Sequence, residues 1–279
     1  MVSNFHMPPT GYGPGSQPLD EDDKALEYLP MPQDMRAYST HIPEVEAVVE
    51  LAPALALLAQ MSAACARVAQ GAANETLDLS NLDTANRALI SETLGQGEVS
   101  VKMHGIPAIA AQESVFAGVW SLLGAGVDTV EIGPVPQMAI DRAFEARKPA
   151  LGALAPKPAG VVNAPPLLVE LMDKSAAYSP EAELHVINLS LLPHTEPDLE
   201  WLDDALGKGS VDILSRGYGN CRISATGQAH VWRVQFFNSM DTLILDTFEV
   251  TRLPEVALAA PEDLSDSAER ICEVLEAIR

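Results

Sequence analysis

The sequence predicts an α+β fold: two tandem pseudo-repeated lobes, each an antiparallel sheet packed with helices. Three observations lead there. Residues of the first half recur in the second in the same order. Each copy carries the same succession of helix and strand signals. The turns between its strands are too short for the crossovers that parallel pairing needs.

The recurrence centres on Leu94-Gly95-Gln96-Gly97-Glu98-Val99-Ser100-Val101 and Leu206-Gly207-Lys208-Gly209-Ser210-Val211-Asp212-Ile213, with four of eight positions identical at an offset of 112. The same offset brings Gly105 to Gly217 and Val119-Trp120 to Val231-Trp232. Further on, Asp128-Thr129-Val130-Glu131-Ile132, Pro136 and Ala139 meet Asp246-Thr247-Phe248-Glu249-Val250, Pro254 and Ala257 at an offset of 118. The second copy therefore carries a six-residue insertion.

Each copy opens with an apolar helix, at about residues 50–69 and 166–176, followed by a short strand at 76–79 and 185–189. A second helix starts after Asp83 or Thr195, whose side-chain oxygens can accept a free N–H of the first turn. Pro197 and the acidic Glu196 and Asp198 reinforce the second of these starts. The Leu-Gly-x-Gly segment ends the helix, because glycine tolerates the left-handed backbone of a helix terminus. Alternating strands follow at 99–103 and 211–214, and in the second copy at 222–226, 230–236 and 243–250. The turns at 226–228 and 238–241 make these an antiparallel meander. Pro136 and Pro254 each open a closing helix, and a last helix runs from Asp266 to Arg279 with Ile271, Val274, Leu275 and Ile278 at core spacing.

The organisation that results is a flexible acidic N-terminal arm at 1–45, a first lobe at 46–148, a Pro/Gly-rich linker at 149–165, and a second lobe with the C-terminal helix at 166–279. The arm carries Asp20, Glu21, Asp22 and Asp23 among prolines and glycines.

Charge excludes several partners. A formal net charge of -22 and a pI near 4.4 repel phosphate backbones and anionic lipid, which argues against nucleic acid and favours a basic partner. The most apolar window, Leu51 to Ala66, falls short of the ~18–20 residues of a bilayer span, so a buried helix is expected and not membrane insertion. Three scattered cysteines and no secretory signal suit a cytoplasmic protein.

The residues offer little for catalysis. None of the six histidines stands at the spacing of a helical zinc site, and there is neither a C-x-x-C nor a G-x-S-x-G. Cys221 beside Arg222 could be a low-pKa thiol, or simply a buried strand residue. The aligned pairs Asp128/Glu131 and Asp246/Glu249 lie three apart on a strand and face opposite sides, so they form no dyad. A protein without catalytic residues, cofactor or metal is the leading class.

Gly217-Tyr218-Gly219-Asn220, Ile223 to Gly227, His230-Val231-Trp232, and the run Pro254 to Leu264 with Asp266-Ser267-Ala268 resemble the C-terminal region of the HupH/HyaF family, accessory proteins of nickel–iron hydrogenase operons. Leu94 to Val101, Phe116 to Trp120 and Gly13 to Pro18 extend the resemblance over nearly the whole chain. It implies a cytoplasmic maturation chaperone that handles the precursor of the iron–sulfur small subunit of an uptake hydrogenase, alongside a thioredoxin-like accessory protein. The family supplies no catalytic residues. Two other roles are a redox or iron–sulfur assembly factor using Cys221, and a scaffold that bridges other maturation proteins. For partner contact the sequence singles out the exposed turn Gly217, Tyr218, Gly219 and Asn220, the aromatic Trp232, and Pro254-Glu255. Trp120, equivalent to Trp232, raises the competing reading that both are core. The space between two lobes is a further candidate.

Overall fold

The computed structural model describes residues 50–217 and 220–278, so the N-terminal arm at 1–45 lies outside the described residues. The first copy runs α1 (Ala52–Ala69), β1 (Glu75–Asp78), α2 (Thr84–Leu94), β2 (Val99–Met103), β3 (Ile109–Glu113), β4 (Val119–Gly124), β5 (Val127–Ile132) and α3 (Gln137–Arg142). The second runs α4 (Ala164–Ala176), β6 (His185–Asn188), α5 (Glu196–Leu206), β7 (Val211–Ser215), β8 (Asn220–Ala225), β9 (Val231–Phe237) and β10 (Leu243–Val250), and α6 (Pro261–Ile278) closes the described chain.

The local signals act as their chemistry requires. The Asp83 carboxylate accepts the N–H of Asn86 at the start of α2. Thr195 and Asp198 form a reciprocal capping box at the start of α5. Gly95 and Gly207 end those helices at φ 54° and 68°, a backbone that side-chain-bearing residues resist. The insertion lengthens the β9–β10 hairpin relative to β4–β5. In the second copy the closing helix after Pro254 is reduced to a single 3-10 turn, Glu255–Ala257.

The copies do not form separate sheets. All strands join one antiparallel sheet in the order β1-β5-β4-β3-β2-β7-β8-β9-β10-β6. They meet where β2 pairs with β7, and Val101 stands opposite Ile213, its own counterpart. A pseudo-two-fold axis therefore crosses this pair. Main-chain bonds obey it: the His104 N–H donates to the Ser210 carbonyl at 2.7 Å and the Arg216 N–H to the Glu98 carbonyl at 3.0 Å.

Alternation along the strands gives the sheet two apolar faces. One carries α1, α2, α4, α5 and α6 in two clusters, while α3 lies on the other. In the first, α1, α2 and α6 cover Val119, Val130 and Ile132. In the second, α4 and α5 cover Val231, Phe248 and Val250. The opposite face holds a single cluster that runs across the junction, from Trp120 and Leu122 through Val101, Ile213 and Ile223 to Trp232 and Val234. Shared sheet and shared core close the space between the copies except at an end of the β2–β7 pair.

Three expectations change. Residues 149–165 are packed: Ala155 and Val161 are buried with α4 and α5, and the Trp201 indole donates to the Ala155 carbonyl at 3.1 Å. The C-terminal helix starts at Pro261 and serves the first copy, burying Leu264, Ile271, Val274 and Leu275 against α1. Among the described residues α1 is the one helix whose length and composition would allow it to cross a membrane. Its Ala54, Leu58, Met61, Ala64 and Cys65 are fully buried in that same cluster.

Candidate functional site: a carboxylate-lined cleft at the junction

The pseudo-two-fold axis gives the β2–β7 junction two equivalent ends, and the sequence has made them different. At one end the chain fills the space itself. The Arg142 guanidinium lies over Gly105, so closely that a side chain there would collide with Nη2. Its Nε donates to Glu145 Oε2 at 3.3 Å and its Nη1 to the Pro107 carbonyl at 3.1 Å.

At the other end a cleft of about 360 Å³ opens. Gly217 takes the place of Gly105 and Asp263 that of Glu145, while the position of Arg142 falls on Ala260. Two carboxylates are added: Glu98 stands where the first end has Ser210, and Glu113 where it has Ala225. Among the described residues lining the cleft there is neither Lys nor Arg.

Each carboxylate is placed by its element. Glu98 follows Gly97, whose own lack of a side chain lets the main chain pass the Ser114 carbonyl, and its Oε2 stands against Gly217. Glu113 ends β3, and its Oε1 accepts the Gly118 N–H at 3.0 Å. Burial pushes the Glu113 carboxyl up to about 7, with the charges of Asp263 and Glu98 adding to it and the Gly118 N–H opposing. Asp263 lies in the first turn of α6.

Cys221 also lines this cleft but is 3% exposed. Burial pushes its thiol up to about 11, helped by the nearby Glu249 charge; burial likewise pushes Cys65 up to about 12. A thiol of that kind is not the thiolate that attacks disulfides or binds clusters. In the native protein a thiol-reactive dye at pH 7.5 is therefore expected to label the exposed Cys272 alone. Rapid loss of a second thiol, absent from a Cys221→Ser variant, would restore the redox reading.

The residues singled out from the sequence fall around this cleft unevenly. Gly217 is on its lip. Tyr218 and Gly219 lie outside the described residues. Asn220 begins β8, donates from Nδ2 to Asp241 Oδ1 at 2.9 Å, and lines a neighbouring depression with Arg216 and Arg222. Pro254 is buried and Glu255 is exposed, and Val256 to Ala259 just beyond them form a wall of the cleft. Trp232 is a correction: it is fully buried, pointing inward from β9 into the cross-junction core like its counterpart Trp120. The charged wall, Glu98, Glu113 and Asp263, was missed. The signal that could have found it is the mismatch between copies at positions 98, 113 and 260.

The other aligned carboxylates hold the fold together. Asp128 pairs with Arg87, and Asp246 takes two bonds from Arg233 at 3.0 and 2.7 Å. Glu131 accepts the Gln137 N–H and the Asn74 amide, both at 2.7 Å. Among the described residues, no group of three or more His, Cys, Asp or Glu is placed to hold a metal ion.

Comparison with known proteins agrees with the duplication. The family described as HupH hydrogenase expression protein, C-terminal conserved region, matches at residues 51–150 and 161–278, one stretch for each copy. The hydrogenase expression/formation protein HupH of Rhodobacter capsulatus is 62% identical over the full length of both chains. The corresponding protein HoxQ of Cupriavidus necator is 43% identical over 99% of this chain and 98% of its own. The hydrogenase-1 operon protein HyaF of Escherichia coli is 33% identical over 98% and 95%. With a family match to both copies and end-to-end identity at this level, this chain belongs to the HupH family of hydrogenase expression proteins.

Proposed function

We propose that the chain is a non-catalytic chaperone in the maturation of a nickel–iron uptake hydrogenase, and that it holds the precursor of the iron–sulfur small subunit in the cytoplasm before export. The observation that carries this reading is the junction cleft, where three carboxylates line the wall with neither Lys nor Arg among the described lining residues. A chain of net charge -22 draws basic segments toward itself, and such a cleft gives them a place to dock. The signal peptide of a small subunit made for twin-arginine export is a segment of that kind. A thioredoxin-like accessory protein is the further partner expected to share the client. The inaccessible Cys221 removes the main support for a redox role of the chain itself.

The test is purification of the tagged chain from cells that are making hydrogenase. The immature small subunit is expected to co-purify, and its yield to fall about tenfold as salt rises from roughly 0.05 to 0.5 M, since attraction between exposed charges is screened over that range. Recovery of other maturation proteins without the small subunit would point instead to a bridging scaffold. A yield indifferent to salt would remove the electrostatic part.

A further inference from the structure

We propose that the sheet keeps an open basic strip between its two groups of helices, and that this strip docks an acidic segment of a partner protein. The strip lies on the other side of the sheet from the junction cleft, and the inference does not rest on the chaperone reading.

The duplication leaves the strip bare. The central strands β3, β2, β7 and β8 supply no residue to either helix-covered cluster. At ~4.8 Å per strand they make a floor roughly 19 Å wide. Alternation turns Val101, Met103, Ile213 and Ile223 into the opposite core. Ser100, Lys102, Leu214, Arg222 and Ser224 therefore face outward from the floor, and none of them is buried. An apolar floor would demand a helix over it; a polar one is stable in water and free to be covered by a partner.

The charge of this floor is opposite to that of the molecule. The chain carries -22, yet Lys102 and Arg222 stand exposed on the floor and the exposed Lys208 lies beside it. The acids of the region are already engaged: Asp212 with His104 and Arg147, and Asp203 and Asp246 with Arg233. Among the described residues no ion pair engages Lys102, Lys208 or Arg222. The Arg222 guanidinium lies over the Phe237 ring, 5.4 Å from its centroid, which holds it in place. A hollow of about 270 Å³ against α5, lined by Arg222, Lys208, Ser224 and Arg233, gives a carboxylate somewhere to enter. There a guanidinium can receive it with two parallel hydrogen bonds.

Lys102 and Arg222 stand two strands and two residues apart, ~12 Å, so one short segment can meet both. The size of the strip also favours a peptide over nucleic acid. A long polyanion would extend past the strip onto a molecule of the same sign, whereas a short acidic segment brings few charges to one local patch.

The experiment is an NMR titration of the isotope-labelled chain at low salt with a short alternating Glu–Ala peptide. The Gln–Ala peptide and a single-stranded DNA oligonucleotide serve as controls. Saturable shifts are expected at Lys102, Lys208, Arg222 and Ser224, with both controls binding at least about tenfold more weakly. Lys102→Gln with Arg222→Gln should weaken the acidic peptide about tenfold or more. Lys157→Gln with Lys174→Gln removes the same charge from exposed positions off the strip and should change binding less than about twofold. All four side chains are on the surface, so both variants should keep the parent's spectrum elsewhere. Equal loss in the two variants, or shifts spread over the whole surface, would overturn the strip as a docking site. DNA bound as tightly as the peptide would overturn its assignment to an acidic protein segment.

Discussion

Replacing Asp198 with alanine is expected to lower stability by on the order of 3 kcal/mol, because one buried carboxylate caps two helices. Asp198 is 1% exposed. Its Oδ1 accepts the N–H groups of Val162, Asn163 and Ala164 at 2.7, 2.9 and 3.0 Å, where the chain enters α4, a helix whose N-cap residue Asn163 makes no side-chain cap. Its Oδ2 accepts the Thr195 N–H at 2.9 Å and the Thr195 hydroxyl at 3.0 Å, closing the cap of α5. Burial opposes the charge on Asp198, but these N–H groups outweigh it and hold the carboxyl well below its ordinary value of 3.8. A carboxyl held low in the folded state stabilises the fold fully above its unfolded pKa and loses that contribution as pH falls below it. Urea unfolding at pH 7 and again between about pH 4 and 3 measures both effects. Asp198→Ala should be weak at pH 7, and the gap to the parent should narrow in acid. Asp198→Asn, which keeps one acceptor, should lie between. A loss under about 1 kcal/mol would mean that water satisfies the two helix starts in its place.

Ile271→Ala should cost about 3 kcal/mol, the usual penalty for emptying a buried aliphatic site that cannot collapse. Ile271 is fully buried between α6 and α1 in the core of the first copy. Glu273, two residues on and exposed, gives a control expected to change stability by less than about 0.5 kcal/mol. Since the sheet and the opposite-face core run through both copies, loss at this site should shift a single transition and not split it. Two separate transitions in calorimetry would show that the copies unfold independently. Truncation before Pro261 removes Leu264, Ile271, Val274 and Leu275 together and should leave the first copy without a closed core.

What the sequence made readable was local. Caps at Asp83 and Thr195, stops at Gly95 and Gly207, and the strands of the second copy each depend on residues close in the chain, and the structure has them where those residues require. The joining of β2 to β7 was not readable, because an alternating strand carries no mark that names the edge it will meet. The destination of α6 was hidden for a similar reason: its apolar stripe fits any apolar stripe, and proximity in the chain pointed to the wrong copy. In the cleft, Gly217 and the segment after Pro254 stood out as breaks in pattern. Glu98, Glu113 and Asp263 did not, because single carboxylates are commonplace in a chain with 39 of them. Their meeting in one cleft shows only when the two ends of the junction are set side by side, and that comparison needs the pseudo-two-fold axis.

The crossing of α6 back to the first copy has a consequence for synthesis. The Ser62 hydroxyl donates to the Ala268 carbonyl at 2.8 Å across 206 positions of sequence. Contacts so distant in the chain are made late and slow folding down. As the chain leaves the ribosome, Leu58 and Met61 emerge long before the residues that cover them, so the core of the first copy stays open until α6 has been made. Helix α6 thus acts as a latch on α1, and a chain that stopped short of it would leave the first copy's core open to proteases.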